Sequence, residues 1–307
     1  MERSKHLVCE YVDSDGRKQF ERAYFVENSF SSDATTTYRL NGFIAKGGNG
    51  AVFRCYHAQA NEEFAVKFLR VLDKVRRERF DFEYLVLHDL EHPNVLPIYD
   101  AGLVETTHRT PIPFIVTKFF ATNVAREIRW KNLLFSIAEV KKYGKQMCEA
   151  LHYLHTQGIV HRDIKPGNFL IEGDKDGNRM DRLVISDFGL AKTYTEEGAN
   201  RFWRGDMTAT DERVGSVPWM SPELFRYAEE KNVKVDHRSD IYQVGKVLWY
   251  MHTGNEAGIP DRDDDASGGQ LLDIVVKAIQ TKPEKRFQTA HEMSEALDRM
   301  QELEVRS

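Results

Sequence analysis

The chain has 307 residues and carries 43 Lys and Arg against 48 Asp and Glu, a formal net charge of −5. At ~150 residues per domain that length suits two domains or one domain of two lobes, and 41% apolar with 30% charged residues is the balance of a soluble globular chain. The acidic balance argues against a nucleic-acid binder; no apolar run nears the ~20 residues that span a bilayer; the polar N-terminus is no secretory signal; and three scattered cysteines, Cys9, Cys55 and Cys148, make neither a disulfide framework nor a zinc knuckle, which points to a reducing cytoplasm.

Residues 7–12 and 19–26 mix Val, Tyr and Phe with charges around the turn signal Asp13–Gly16, predicting a hairpin that extends the following sheet or, as the alternative, binds a partner. Asn28–Thr37 is small and polar, and so a linker. Strands resume at Tyr38, a helix is predicted over Lys74–Leu90, and Pro113–Phe120 reads as a buried strand. Beyond Phe120 the period lengthens. Ala138–Gln157 carries Val140, Tyr143, Met147, Leu151 and Leu154 along one stripe and is stopped by Gly158. Asp240–Thr253 is a more apolar helix, central to the second half, and Leu271–Gln280 and Thr289–Leu303 are two closing helices. Between them, Gly258–Gly269 is an acidic, glycine-containing solvated loop.

Gly47, Gly48 and Gly50 lie between two strands, where glycines let backbone N–H groups approach a phosphate, or simply make a hairpin turn. Lys67 follows on the next strand, and Glu83 on the next helix is a partner for its ammonium. Asp163, Lys165 and Asn168 share one loop, and Asp187 ends the following hairpin. A carboxylate accepts a hydroxyl proton, a carboxylate with an amide oxygen holds hard Mg²⁺, and a lysine neutralises a transferring phosphoryl group.

Taken in order, AKGGNGAV, FAVK, the helix glutamate, HRDIKPGN, DFG, SPE, SDIYQVG and KPEKR resemble the motifs of the eukaryotic-type (Hanks-type) serine/threonine protein kinases, the bacterial members most. The resemblance runs from about Tyr38 to about Leu303. It implies an α+β, bilobal protein kinase fold: a β-rich small lobe with one main helix and the hinge at 38–120, and a larger, mainly helical lobe at 121–307. Residues 1–37 form an N-terminal extension of hairpin and linker.

The resemblance also implies roles. Ala45, Lys46, Gly47, Gly48, Asn49 and Gly50 cover the ATP phosphates, with Ala45 in place of the family's first glycine. Lys67 contacts the α- and β-phosphates and pairs with Glu83; Asp163 is the base; Lys165 steadies the γ-phosphate; Asn168 and Asp187 ligate Mg²⁺, with Mn²⁺ as an alternative. Val52, Ala65 and Leu170 enclose the adenine, Thr117 is the gatekeeper, and the Lys118 and Phe120 backbones bond the adenine edge. Leu87, His161 and Phe188 match the family's stacked apolar column. Asp240 holds the catalytic-loop backbone, and Glu223 pairs with Arg286. Lys165 and Ser216, which braces it, favour serine and threonine as acceptors.

The implied partner is a protein substrate with a Ser/Thr acceptor, with no nucleic acid and no membrane span. Self-association would allow autophosphorylation at Thr208 and Thr210, whose phosphate Arg162 would receive. A pseudokinase is disfavoured by the full set Lys67, Glu83, Asp163, Asn168 and Asp187; a small-molecule kinase is disfavoured by GSVPWMSPE and Arg286. The helix the family carries between the 240–253 and 271–280 helices is expected to be short or missing. Asp174–Ile185 imitates a calcium loop but puts Arg179 where glycine is needed and Ile185 where the bidentate glutamate is needed, so a hairpin turn is expected. His152, His155 and His161 lack a further ligand for zinc.

Overall fold

Phe64, Val66 and Phe68 are buried while Glu63, Ala65 and Lys67 alternate with them, and this period of two sets the two faces of the N-terminal sheet. A computed structural model describes residues 6–12, 17–24, 29–32, 36–46, 50–59, 62–104, 111–174, 178–193, 216–230, 233–256 and 260–301. They divide into two compact units, one of residues up to Glu91 with Leu96–Phe119, the other of His92–Val95 with the chain from Phe120 onward.

The first unit is β-rich. Its strands are β1 (His6–Val12), β2 (Lys18–Tyr24), β3 (Ser29–Ser31), β4 (Thr37–Lys46), β5 (Gly50–His57), β6 (Glu63–Leu69), β7 (Ile98–Val104) and β8 (Ile112–Lys118). Six of them form an antiparallel sheet in the order β3-β4-β5-β6-β8-β7. The expected hairpin is present, but it does not extend that sheet: among the described residues β1 and β2 pair only with each other. The sheet is extended instead by β3, inside the stretch that reads as a linker. One aromatic side chain accounts for this. Phe30 is buried, stacks on Tyr38 at 5.2 Å between ring centroids, and meets Phe68 and Phe114 edge-on at 5.3 and 4.9 Å. Burying a phenylalanine is worth about 1.5–3 kcal/mol, enough to order a short polar strand. Leu7 of the hairpin joins the same cluster.

Helix α1 (Lys74–Asp89) also belongs to the first unit. Asp73 caps it, accepting the Arg76 N–H at 2.9 Å. Phe80 packs with Leu69 and Ile115.

The second unit is mainly helical. It holds α2 (Val124–Arg129), α3 (Ile137–Thr156), α4 (Pro222–Glu229), α5 (Arg238–Thr253), α6 (Gln270–Ala278) and α7 (Ala290–Asp298), with the short strands β9 (Thr122–Asn123), β10 (Ile159–Val160), β11 (Phe169–Gly173), β12 (Arg179–Ile185) and β13 (Lys192–Thr193). A capping box between Ser136 and Glu139 starts α3, and Gly158, at φ 73°, ends it. Gly144 lets α3 approach its neighbours: a Cβ there would stand 3.0 Å from Leu248 of α5 and 3.0 Å from Leu297 of α7. Between α5 and α6 the described residues carry a single 3-10 turn, Arg262–Asp264.

His92–Val95 joins this unit because Asn94 is buried in it. Its side chain donates to Leu183 O at 2.8 Å and Gln146 Oε1 at 2.9 Å, and its carbonyl accepts from Ile185 N at 2.8 Å. The calcium-like segment contains the whole of β12, which pairs antiparallel with β11, and at its start Asn178 N–H donates to Asp174 Oδ1 at 2.8 Å. Arg179 within it is a structural cation. It lies over the Phe135 ring at 4.2 Å and pairs with Glu139 at 2.7 Å and with buried Glu127 at 3.6 Å.

Candidate active site

In the first unit, the antiparallel register sets Val52 opposite Lys67 and Ala65 opposite Thr117. The face of β6 that points away from the aromatic core therefore carries Ala65 and Lys67. Lys67 Nζ donates to both oxygens of buried Glu83 on α1, at 2.8 and 2.7 Å. Gly50 stands where the backbone passes close to β6: a Cβ would sit 3.1 Å from Phe68 O and 3.5 Å from Lys67 Cε. Ala45 and Lys46 are exposed and pair with Val52 and Ala51. Gly47, Gly48 and Asn49 lie outside the described residues. Thr117 and Lys118 end β8, and Lys118 N–H donates to Pro97 O at 3.4 Å.

In the second unit, one buried carboxylate organises the loop that follows β10. Asp240, near the start of α5 and fully buried, accepts His161 N–H at 2.9 Å on Oδ2 and Arg162 N–H at 2.8 Å on Oδ1. His155 Nε2 lies 2.9 Å from Asp240 Oδ2. These contacts hold Arg162 in a left-handed conformation, φ 69°, with its guanidinium 4.8 Å from the Tyr227 ring centroid. Asp163 comes next and is buried. Its Oδ2 accepts Lys165 Nζ at 2.5 Å and Asn168 Nδ2 at 3.4 Å, and its Oδ1 lies 3.5 Å from Ser216 Oγ.

Asn168 also donates from Nδ2 to Asp163 O at 2.8 Å, which leaves Oδ1 as the acceptor of its amide. Its carbonyl accepts both Ser186 N–H at 2.9 Å and Ser186 Oγ at 3.0 Å, so Asp187 follows a residue bonded to Asn168. Asp187 has φ 66°, a second left-handed non-glycine residue in the same region. His161 is fully buried, packs against Phe188 with ring centroids 4.9 Å apart and tilted by 60°, and lies 3.1 Å from Ser186 O through Nε2. Burial lowers its pKa against the pull of the Asp240, Asp163 and Asp187 carboxylates. Leu170 is half-buried on β11, opposite Val184 and Asn123, and Phe120 is buried. Leu87 is buried in α1.

Glu223 and Arg286 form a bidentate pair at 2.6 and 2.7 Å. Thr208 and Thr210 lie outside the described residues. Of the candidate zinc histidines, His155 faces Asp240, His161 faces Phe188, and the His152 ring is 5.4 Å from His291. Sequence reading passed over Asn94, whose signal is the His92-Pro93-Asn94 turn, and Gln243 of α5, considered below.

Burial opposes the charge on Asp240, yet the His155 hydrogen bond and charge, the nearby His161 and the Arg162 N–H together hold its pKa below the usual carboxylate value. A depressed carboxyl pKa stabilises the fold above the unfolded value of about 3.9, and that contribution disappears as pH falls through the lower folded value. The melting temperature of Asp240→Asn is therefore expected to fall below that of the parent at neutral pH and to converge on it under acid. Tryptophan-fluorescence melts across pH check this; a gap that stays constant down to the acid limb removes the assignment.

Residues 38–303 match the protein kinase domain, and the chain belongs to that family. Among curated proteins it is similar to the serine/threonine-protein kinase PknB of Mycolicibacterium smegmatis, 29% identical over 287 residues, covering 86% of this chain and 43% of the relative. It is also similar to PknB of Mycobacterium tuberculosis, 28% identical over 291 residues, covering 88% and 44%. The chain spans about two fifths of the length of the curated relatives it matches. No helix among the described residues is long and apolar enough to cross a membrane.

Proposed function

We propose that this chain is a serine/threonine protein kinase domain that transfers the γ-phosphoryl group of ATP to a Ser or Thr hydroxyl of a protein substrate in the cytoplasm, where ATP is plentiful. One observation carries the reading. Asp163, a buried carboxylate, is held by a lysine and an asparagine of its own loop, and that asparagine is bonded to the residue preceding Asp187. In the transfer, the acceptor oxygen bonds to the γ-phosphorus, the bond from that phosphorus to the β–γ bridging oxygen breaks, ADP leaves, and the hydroxyl proton goes to Asp163. Lys165 neutralises charge on the passing phosphoryl group, and Lys67, fixed by Glu83, does so on the α- and β-phosphates.

The donor set fits a hard divalent cation: the carboxylate of Asp187 and Oδ1 of Asn168 are oxygen ligands of the kind Mg²⁺ prefers, and Mn²⁺ accepts the same set. Such an ion, when bound, supplies charge neutralisation at the phosphate oxygens. In this reading the adenine-side residues are Val52, Ala65, Thr117 and the Lys118 backbone in the first unit, and Leu170 and the Phe120 backbone in the second; Ser216 braces Asp163 and Lys165. Arg162 receives a phosphate from Thr208 or Thr210, added by a second copy of the chain.

Incubation with labelled ATP, Mg²⁺ and casein, followed by phosphosite mapping, tests this reading. Label is expected on serine and threonine of casein and on Thr208 or Thr210. Lys67→Met is expected to lower the initial rate about 10²-fold or more, because it removes a charge aimed at the phosphates. Absence of transfer to any protein by the parent chain would sink the proposal, and a Lys67→Met rate equal to the parent's would remove the role given to that lysine.

A further inference from the structure

We propose that Gln243 is a positioning residue that fixes the Asp163 carboxylate through the backbone of Ile164. This rests on the kinase reading, in which Asp163 is the base. Gln243 lies one turn after Asp240 on α5, so the two side chains share a helix face. Asp240 takes the His161 and Arg162 N–H groups. Gln243 Oε1 accepts the next N–H but one, that of Ile164, at 3.4 Å. Asp163 is thus flanked on both sides by amides bonded to the same helix. Its own N–H turns inward to His161 Nδ1 at 3.3 Å.

The second tether matters because the first holds a strained turn. Arg162 is a non-glycine residue at φ 69°, and such conformations persist only where the surroundings over-determine them. Asp240 fixes the chain before Asp163, and Gln243 fixes it after. Released at Ile164, the turn has a soft end, and the carboxylate swings with it.

Gln243 also carries the mark of a residue that serves geometry more than stability. Its side chain is fully buried, and its Nε2 meets no acceptor among the described residues. A buried amide donor without a partner is destabilising. Methionine fills nearly the same volume with no polar group.

Gln243→Met and Gln243→Glu variants of the 307-residue chain test this, with Mg·ATP and casein as substrates. Buried one turn from the Asp240 carboxylate, the new glutamic acid is held protonated and keeps a carbonyl acceptor for Ile164. The expected result for methionine is a kcat at least about tenfold lower, the loss typical of a slightly misplaced catalytic group, with the dissociation constant of Mg·ATP within twofold and a melting temperature within a few degrees of the parent's, since the stranded Nε2 donor goes as the Ile164 N–H loses its acceptor. Glutamate is expected to return kcat to within about threefold. Hydrogen exchange at the Ile164 amide, read independently of activity, is expected to quicken about tenfold in the methionine variant only. A methionine variant with parental kcat and parental exchange overturns the proposal. So does one whose kcat and melting temperature fall together without rescue by glutamate. A parent chain that transfers no phosphate fails the kinase reading instead, and the exchange measurement still decides the tether.

Discussion

Asp163→Asn is expected to cut phosphoryl transfer by about 10³-fold or more while leaving the melting temperature within a few degrees of the parent's. General-base catalysis contributes about 10²–10⁴-fold, and a 10³-fold loss corresponds to about 4 kcal/mol of barrier. Asparagine is isosteric with aspartate, so the packing around this buried side chain survives. The loop backbone also survives, since Asp240 holds the His161 and Arg162 N–H groups independently of the side chain at 163. The amide no longer accepts a proton from the acceptor hydroxyl, and it presents one oxygen where two now face Lys165, Asn168 and Ser216. Initial velocities with labelled ATP, beside thermal melts, separate the chemical from the structural effect. Retention of more than about a tenth of parental velocity, well outside the range for a lost general base, would move the role of base elsewhere.

The largest stability effect is expected at Arg286. All five guanidinium N–H groups are engaged: two on Glu223, and one each on the carbonyls of Gln280, Arg238 and Thr281. The guanidinium also lies 4.9 Å from the Tyr242 ring centroid. Its side chain is wholly buried and that of Glu223 is 5% exposed. Arg286→Met leaves a buried carboxylate without its counter-charge, a change worth about 3–5 kcal/mol, or roughly 6–20 °C in melting temperature at about 2–4 °C per kcal/mol. Arg286→Lys is expected to recover little, because an ammonium cannot reproduce the planar two-pronged contact. The double variant Glu223→Gln, Arg286→Met removes the stranded charge and is expected to recover part of the loss, though three carbonyls still lack donors. Among the described residues the tryptophans, Trp130, Trp219 and Trp249, all belong to the second unit, so their fluorescence reports on it. Melting of Arg286→Met within 2 °C of the parent would show that the pair is not structural.

The candidate site is legible in the sequence because its residues are local. Asp163, Lys165 and Asn168 fall within one short loop, and each strand and helix that carries a candidate residue has a clear period. What escaped depends on contacts between distant segments. Phe30 looks like a lone aromatic in a polar linker until Phe68 and Phe114 are brought to it. The hairpin has the alternation of a sheet strand, but nothing in alternation specifies which edge it joins, and it joins none of the six-stranded sheet among the described residues. Arg179 disqualified a calcium loop without revealing Glu127, 52 positions earlier, as its partner. Gln243 is one polar residue in an apolar helix, and only the placement of Ile164 gives it meaning.

The anchoring of the 161–164 turn to the interior of α5 separates two kinds of evolutionary freedom. In the kinase reading, residues at the solvent face can drift without shifting the proton acceptor, whose bearings are taken from the buried face of that helix. New target preferences can accordingly accumulate by surface substitution while the chemistry is inherited intact.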